Sequence, residues 1–428
     1  MMFPVSSMIS VEEARERILA FFSRLEPESR PLLDTLGQVL AHGVVAPFDL
    51  PQLDNTAMDG YAVRAADTTG ASEASPRELK VIADLAAGYI LETPVKQGEA
   101  VRIMTGAPMP PGADAVVPFE ETDELMRGVN EAARKSATVR ILKGAEVGAN
   151  IRFRAEDVTA GQTVIAAGRV LRASEIGVLA SIGLTEVEVY RRPVVAILST
   201  GDEVTEPGQP LKPGRIYDAN AHSIAALVKA YGGVPKLLGI ARDTVEDLTA
   251  KIHEALDADM LVTSAGVSRG DFDVVKDVLA REGKIDFWTV RMRPGKPLAF
   301  GAFTAPNGRK VPHLGLPGNP VSSMVSFELF GRPAIFTMLG RPDWQRPVLK
   351  AITRDSIVNA DGRRFYARCI VTLGDDGRYY ADLTGPQGSG ILTSMSAANA
   401  LTVIPEDRPY AAPGDEIDVM MLDWERPL

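Results

Sequence analysis

Apolar residues recur along this chain in three rhythms, and the changes of rhythm divide it. Between Ser10 and Leu25 the spacing is helical: Val11, Ala14, Ile18, Phe21, Phe22 and Leu25 make one stripe. Ser10 and Glu13 form a capping box at its start. From about 51 to 150 the apolar runs are short, at 80–82, 100–104 and 115–118, and Gly, Pro and Asp separate them, which predicts a β-domain. Residues 155–171, with Thr159, Ala160 and Gly161 at the turn, predict a further hairpin, and Ser174 starts a short helix ending near Gly183.

From 192 to 340 strands alternate with helices. Apolar strands at 193–198, 236–240 and 259–262 are separated by a helix that Asn220 caps and by one that Thr244 and Asp247 open; a third helix is predicted over 273–281. Strands near 287–290, 298–303 and 312–316 precede a long helix from Pro320 to about Leu339. The alternation implies a largely parallel α/β sheet, whose ligands bind beyond the carboxyl ends of the strands. After 342, strands at 367–373, 400–404 and 416–421 return with Gly, Asp and Pro turns, predicting a small β-barrel or sandwich.

Composition narrows the function classes. A chain of 428 residues exceeds what one core organises, and 45% hydrophobic with 24% charged residues is the make-up of a water-soluble globular protein. A formal net charge of -10 argues against nucleic acid or an anionic membrane as partner. Cys369 is the single cysteine, and His42, His222, His253 and His313 show no zinc-ligand spacing. The first eight residues lack the basic and apolar regions of a signal peptide, and no run suits a transmembrane helix, so a cytoplasmic protein is expected.

The unusual sequences lie where the strands end. Ser199, Thr200, Gly201, Asp202 and Glu203 put a glycine beside two carboxylates, which suits magnesium, a cation that takes oxygen ligands, or equally a turn cap. The stretch from Thr263 through Ser264, Gly266 and Ser268 has the small residues that let backbone N–H groups approach an anion. Asp271 and Asp273 behind it suit a metal or a helix cap. Arg291, Arg293 and Lys296, stiffened by Pro294 and Pro297, interrupt two apolar strands and mark a local anion site. Nearby cations outweigh distant carboxylates, which are screened beyond about 8 Å at physiological salt. Pro317, Gly318, Asn319 and Pro320 form a helix start, with Asn319 a good N-cap and Pro320 a natural first residue. In the β-region, Met58, Asp59 and Gly60 make a polar turn, and Thr105 and Gly106 end a strand.

Five strings carry a resemblance: DNTAMDGYAVR at 54–64, RIMTGAPMPPGADAVV at 102–117, STGDE at 199–203, RPGKPLAFG at 293–301 and GLPGNPVSS at 315–323. In this order, over nearly the whole chain, they resemble the molybdopterin molybdenumtransferase family, the MoeA-type enzymes related to the E domain of gephyrin. The resemblance implies a multidomain α/β plus β fold. Its parts would be an elongated N-terminal lobe (1–50 and 151–190), an inserted β-domain (51–150), a parallel α/β pterin-binding domain (191–341) and a C-terminal β-barrel (342–428). It also implies a homodimer whose cleft takes Asp59 and Thr105 from one subunit and Glu203, Asp243, Asp273 and Lys296 from the other. Pro317 and Pro320 would shape the wall, and Asp157 and Ser394 match family positions too. On this reading Asp59, Thr105, Glu203, Asp243 and Lys296 are catalytic, and Asp202, Glu203, Asp271 and Asp273 hold Mg2+. Ser264, Gly266, Ser268, Arg293, Lys296, Pro317, Asn319, Pro320 and Ser394 bind substrate.

Two positions depart from the family's usual residues: Ala265 replaces a glycine of the anion loop, and Arg293 a lysine. The activity implied is insertion of molybdate into adenylyl-molybdopterin, giving molybdenum cofactor, AMP and water, with a molybdopterin adenylyltransferase upstream. Asp59 or Glu203 would orient the water or take its proton. Two rival readings are a molybdopterin adenylyltransferase, which needs no inserted β-domain, and a non-enzymatic gephyrin-like scaffold.

Overall fold

Ser10 Oγ accepts the backbone N–H of Glu13 at 3.0 Å, and the helix Val11–Leu19 follows from that cap. Its stripe is buried through Ile18, which is fully enclosed; burying a side chain of that size contributes roughly 1.5–3 kcal/mol. The helix ends at Leu19, so Phe21 falls beyond it, where its ring meets Phe300 edge-on at 5.0 Å. The computed structural model describes residues 8–127, 136–264, 278–279 and 281–423. The chain separates into two units, one of residues 1–41, 168–173 and 186–428, the other of 42–167 and 174–185.

The first unit is built on a six-stranded sheet in the order Val234–Ala241, Val194–Thr200, Met260–Ser264, Lys310–Leu316, Pro297–Thr304, Gly283–Thr289. The first four strands run parallel, and Pro297–Thr304 alone runs opposite, antiparallel to both its neighbours, so the sheet is largely parallel with one reversed strand. The reason is local. Gly308, at positive φ behind Asn307, turns the chain in a tight hairpin between Pro297–Thr304 and Lys310–Leu316, and a hairpin joins only antiparallel strands. Strands buried on both faces explain the unbroken apolar runs, Met260 to Ser264 being buried throughout.

Two expected caps change. Asp218, not Asn220, caps the helix Ala219–Ala230, its Oδ1 accepting the Ala221 N–H at 3.0 Å. Asn319 occupies the N-cap of Pro320–Ser326 without a side-chain hydrogen bond, leaving Pro320 to start the helix. That long helix passes through a π turn at Phe327–Gly331 before continuing as Arg332–Met338. Pro333, which has no N–H for the helical ladder, follows directly. The predicted helix over 273–281 lies mostly outside the described residues.

The C-terminal part closes into a five-stranded barrel: Val348–Thr353, Tyr379–Leu383, Arg368–Leu373, Ala400–Val403, Glu416–Met421. Cys369 belongs to its core, where burial pushes the thiol up to about 12. Among the described residues no helix is long and apolar enough to cross a membrane.

The second unit carries a five-stranded sheet in the order Ala115–Pro118, Gly60–Val63, Glu99–Ile103, Arg77–Leu85, Thr138–Ile141. Val117 and Tyr61 face one apolar cluster and Val116 and Ala62 another, so both faces are covered. The expected hairpin at 155–171 does not form. Its turn at Gly161 exists, but Thr163–Ile165 pairs with Val44–Val45, a strand more than a hundred residues earlier.

Candidate functional site

Three strand ends stand level in the central sheet: Ser199 pairs with Ser264, and Ser264 with Leu316. The loops that leave them line a cavity of about 710 Å³ in the first unit. Ser199, Thr200, Glu203, Ser264, Arg293, Lys296, Pro317, Asn319 and Pro320 all reach it, so most of the described candidate residues of this unit meet there, Asp202, Asp243 and Ser394 excepted. Gly266, Ser268, Asp271 and Asp273 lie outside the described residues.

The loop starts are tied together by one amide. Asn220 Nδ2 donates to Ser264 Oγ at 2.7 Å and to the Gly318 carbonyl at 2.8 Å. Thr200 Oγ1 donates to the Ser264 carbonyl at 3.3 Å. Ser199 Oγ and the second carboxylate oxygen of Asp218 are buried at the cavity without a hydrogen-bond partner among the described residues. Buried polar atoms without partners cost about 1–3 kcal/mol each, so a polar ligand is the expected partner.

Cations gather on another wall. Arg293 lies 3.7 Å over the Phe365 ring, donates from Nη2 to the Val358 carbonyl at 2.9 Å, and reaches Asp361 Oδ2 from Nη1 at 3.4 Å. Arg363 Nη2 donates to the same Asp361 oxygen at 2.5 Å. One carboxylate therefore serves two guanidinium groups, and half-buried Lys296 adds a third cation to the lining. Gly295 sits at φ +102°, where a Cβ would approach Ser326 Oγ to 2.6 Å, so the Arg-Pro-Gly-Lys turn needs glycine there. Burial lowers the Arg293 pKa, and the Asp361 charge opposes that.

Acidic groups meet beside Glu203. Burial raises the Asp243 carboxyl above the usual carboxylate range; the Asp202 charge adds to this, a hydrogen bond from the Asp202 backbone N–H opposes it, and Glu203 adds further. Arg215 Nη1 holds the Asp202 carbonyl. Among the described residues no three acidic, histidine or cysteine side chains form a ready metal cage. Magnesium, however, keeps several waters and takes one or two carboxylates plus phosphate oxygens. The repulsion felt at Asp243 shows the charges of Asp202 and Glu203 acting on it.

Ser394 is not brought to the cavity. It is buried, its Oγ accepting from Arg368 Nε at 2.9 Å and donating to the Ile391 carbonyl at 2.7 Å. Arg368, fully enclosed, also holds the Gln387 and Gly388 carbonyls at 3.1 and 2.9 Å. It thereby fixes the loop whose Gln387 and Ser389 line the cavity.

In the second unit Asp59 Oδ1 accepts both the backbone N–H and the Oγ1 hydroxyl of Thr105, each at 2.7 Å. These bonds, the backbone one first, hold the Asp59 carboxyl below its ordinary range. Gly60 is obligatory behind it, since a Cβ would lie 2.2 Å from the Val117 carbonyl oxygen. Asp157 is exposed in the same unit, its backbone N–H on the Leu50 carbonyl.

Sequence reasoning missed Arg363, Gln387, Ser389 and Asp218, and took Asn220 for a cap. Signals were present: two adjacent arginines after Gly362, a Gly-Ser turn at 388–390, and an Asp-Ala-Asn run before a helix.

Family models match three stretches of the chain: the MoeA N-terminal region (domain I and II) over residues 9–183, a probable molybdopterin binding domain over 196–337, and the MoeA C-terminal region (domain IV) over 350–422. The chain is 39% identical over 419 residues to molybdopterin molybdenumtransferase 2 of Mycobacterium tuberculosis (strain H37Rv), with 96% of this chain and 99% of that one covered. It is 36% identical over 426 residues to a molybdopterin molybdenumtransferase of Nostoc sp., with 98% and 95% covered. A solved molybdopterin biosynthesis MoeA protein from Pyrococcus horikoshii OT3 superposes with a TM-score of 0.78 at 29% identity, covering 97% of this chain and 100% of that one.

Proposed function

Because this chain belongs to the molybdopterin molybdenumtransferase family of the MoeA type, we propose that it inserts molybdate into adenylyl-molybdopterin, releasing AMP and leaving molybdenum cofactor. The observation that carries the reading is the cavity at three level strand ends, with buried polar atoms that lack partners among the described residues on one wall, and on another Lys296 and two arginines that share one carboxylate. Such a cavity takes a polyanion.

The residues divide the work. Arg293, Arg363 and Lys296 dock the oxyanion substrate, and a fork-shaped guanidinium can grip two oxygens of a tetrahedral anion. Ser264 and Asn220, with Gly318 and Pro320, keep the loop starts in register against the adenylate and its phosphates. Asp202 and Glu203, with the acidic pair Asp271 and Asp273, would hold magnesium, which when bound supplies charge neutralisation on the phosphate leaving with AMP. Asp243 stands in the acidic set beside Asp202 and Glu203, and Asp59, its carboxyl lowered by the Thr105 hydrogen bonds, orients the incoming water or substrate hydrogen.

The working protein is a cytoplasmic homodimer, each cleft combining Asp59 and Thr105 of one subunit with the α/β cavity of the other. The family resemblance supports that arrangement. A molybdopterin adenylyltransferase would supply the substrate.

The test is AMP release from adenylyl-molybdopterin by the purified protein, with magnesium, as molybdate is titrated. AMP should rise with molybdate and saturate. Release indifferent to molybdate, or pyrophosphate formed from ATP instead, would overturn the assignment in favour of the adenylyltransferase.

A further inference from the structure

The substrate proposed above carries two flat heterocycles, a purine and a pterin, and flat rings bind proteins best on an aromatic face. Among the described residues that line the 710 Å³ cavity, Tyr217 is the single aromatic one. Its position is built rather than incidental. The pair Ile216–Tyr217 runs parallel to Val204–Thr205, immediately after Glu203. The Ile216 N–H donates to the Glu203 carbonyl at 2.9 Å and the Asp218 N–H to the Thr205 carbonyl at 3.0 Å, so the backbone is held on both sides of the tyrosine.

The side chain is held at its tip as well. Tyr217 Oη donates to the Gln209 carbonyl at 3.0 Å, while 44% of the residue stays exposed. With its hydroxyl tied to Gln209, this half-exposed tyrosine brings an aromatic ring to the cavity lining. Beside it stand Ile216, also exposed to the cavity, and Asp218 and Asn220, each with one oxygen that lacks a hydrogen-bond partner among the described residues and suits the N–H edge of a heterocycle. The cations that attract phosphate and oxyanion belong to other loops, so the ring site and the anion site are separate parts of one cavity.

We infer that Tyr217 is the stacking platform for a flat heterocycle of the substrate, and so a specificity-determining residue of this site. The inference rests on the reading that the cavity takes adenylyl-molybdopterin. Purine and pterin share the required chemistry, and the two sources separate by probe.

Calorimetric titration of AMP and of neopterin into the full-length protein tests it, with Tyr217→Phe and Tyr217→Leu compared with wild type. Tyr217→Phe keeps the ring and should bind both probes within about twofold of wild type. Tyr217→Leu keeps apolar bulk without a π face and should bind one probe about tenfold more weakly, inside the roughly 5- to 150-fold range of base–aromatic stacking. Loss for AMP alone assigns the purine, and loss for neopterin alone assigns the pterin. Unchanged binding of both probes by Tyr217→Leu overturns the inference, as does an equal loss in Tyr217→Phe, which would make the hydroxyl tie the active feature. Wild-type protein that binds neither probe would sink the functional reading together with the inference; a flat response of Tyr217→Leu against a wild type that binds sinks the inference alone.

Discussion

A single oxygen of Asp59 receives two hydrogen bonds from Thr105, one from its backbone N–H and one from its hydroxyl, both 2.7 Å long. The two residues lie 46 positions apart, at the ends of adjacent strands, and the pairing of Gly60 with Ile103 brings them level.

The pair predicts a pH effect. Thr105→Val removes the hydroxyl donor and keeps the backbone one. The Asp59 carboxyl is lowered in the folded state, so its contribution is present above the ordinary carboxylate pKa and is lost as pH falls through the lowered value. With one donor gone, the acid limb of molybdate-dependent AMP release should move to higher pH, while the plateau near neutrality changes by less than about threefold. An acid limb that stays in place in the variant's pH profile would show that Asp59 ionisation does not govern turnover.

Asp361 serves two arginines with one oxygen, so it should matter more to the oxyanion than to the nucleotide. Asp361→Asn is expected to raise the molybdate concentration for half-maximal AMP release about tenfold, with AMP affinity within twofold of wild type. Lys296→Ala should behave alike. Titrations of both ligands against both variants check this, and equal losses for the two ligands would place these cations on the phosphates.

Stability should carry the mark of His313. The ring is completely buried, with Nε2 2.9 Å from Thr263 Oγ1, and burial lowers its pKa from 6.5 to about 3. The unfolded chain takes up a proton below about pH 6.5 that the native state refuses, so folding stability falls as pH drops from there toward 3. The slope from this one residue is roughly 1.4 kcal/mol per pH unit. Urea denaturation at pH 7.5 and 5.0 measures it. His313→Gln, which keeps a hydrogen-bonding group for Thr263, should show a smaller loss between the two conditions; an unchanged difference means other groups dominate.

Subunit sharing can be tested by complementation. Asp59→Asn and Glu203→Gln should each abolish activity alone. In a mixed dimer with two-fold symmetry, one cleft would carry both lesions and the other none. Random reassortment makes about half the dimers mixed and leaves about a quarter of all clefts intact. Isolated mixed dimers as inactive as either parent would place both residues in one chain's site.

What the amino-acid sequence determined by itself is what local spacing can encode. The Ser10 cap, the unbroken apolar runs of the central strands, the runs at 115–118 and 416–421, and Pro320 as a helix start all depend on neighbours within about four residues. The strand-end loops were legible for the same reason, because glycine, proline and charge interrupt those runs.

Tertiary structure decided everything that turns on contact between distant segments. Asn220 reads locally as a cap, but its amide spans 98 positions to the Gly318 carbonyl while Asp218 takes the cap. Arg293 reads as part of a local anion site, yet only the fold shows that it shares Asp361, 68 positions away, with Arg363. Ser394 reads as a substrate contact and instead braces Arg368 from inside. The edge that captured Thr163–Ile165 lies more than a hundred residues earlier. Helical and strand periods are properties of a short window of chain, whereas a hydrogen bond or shared charge needs two groups within a few ångströms, and only the folded packing brings such groups together.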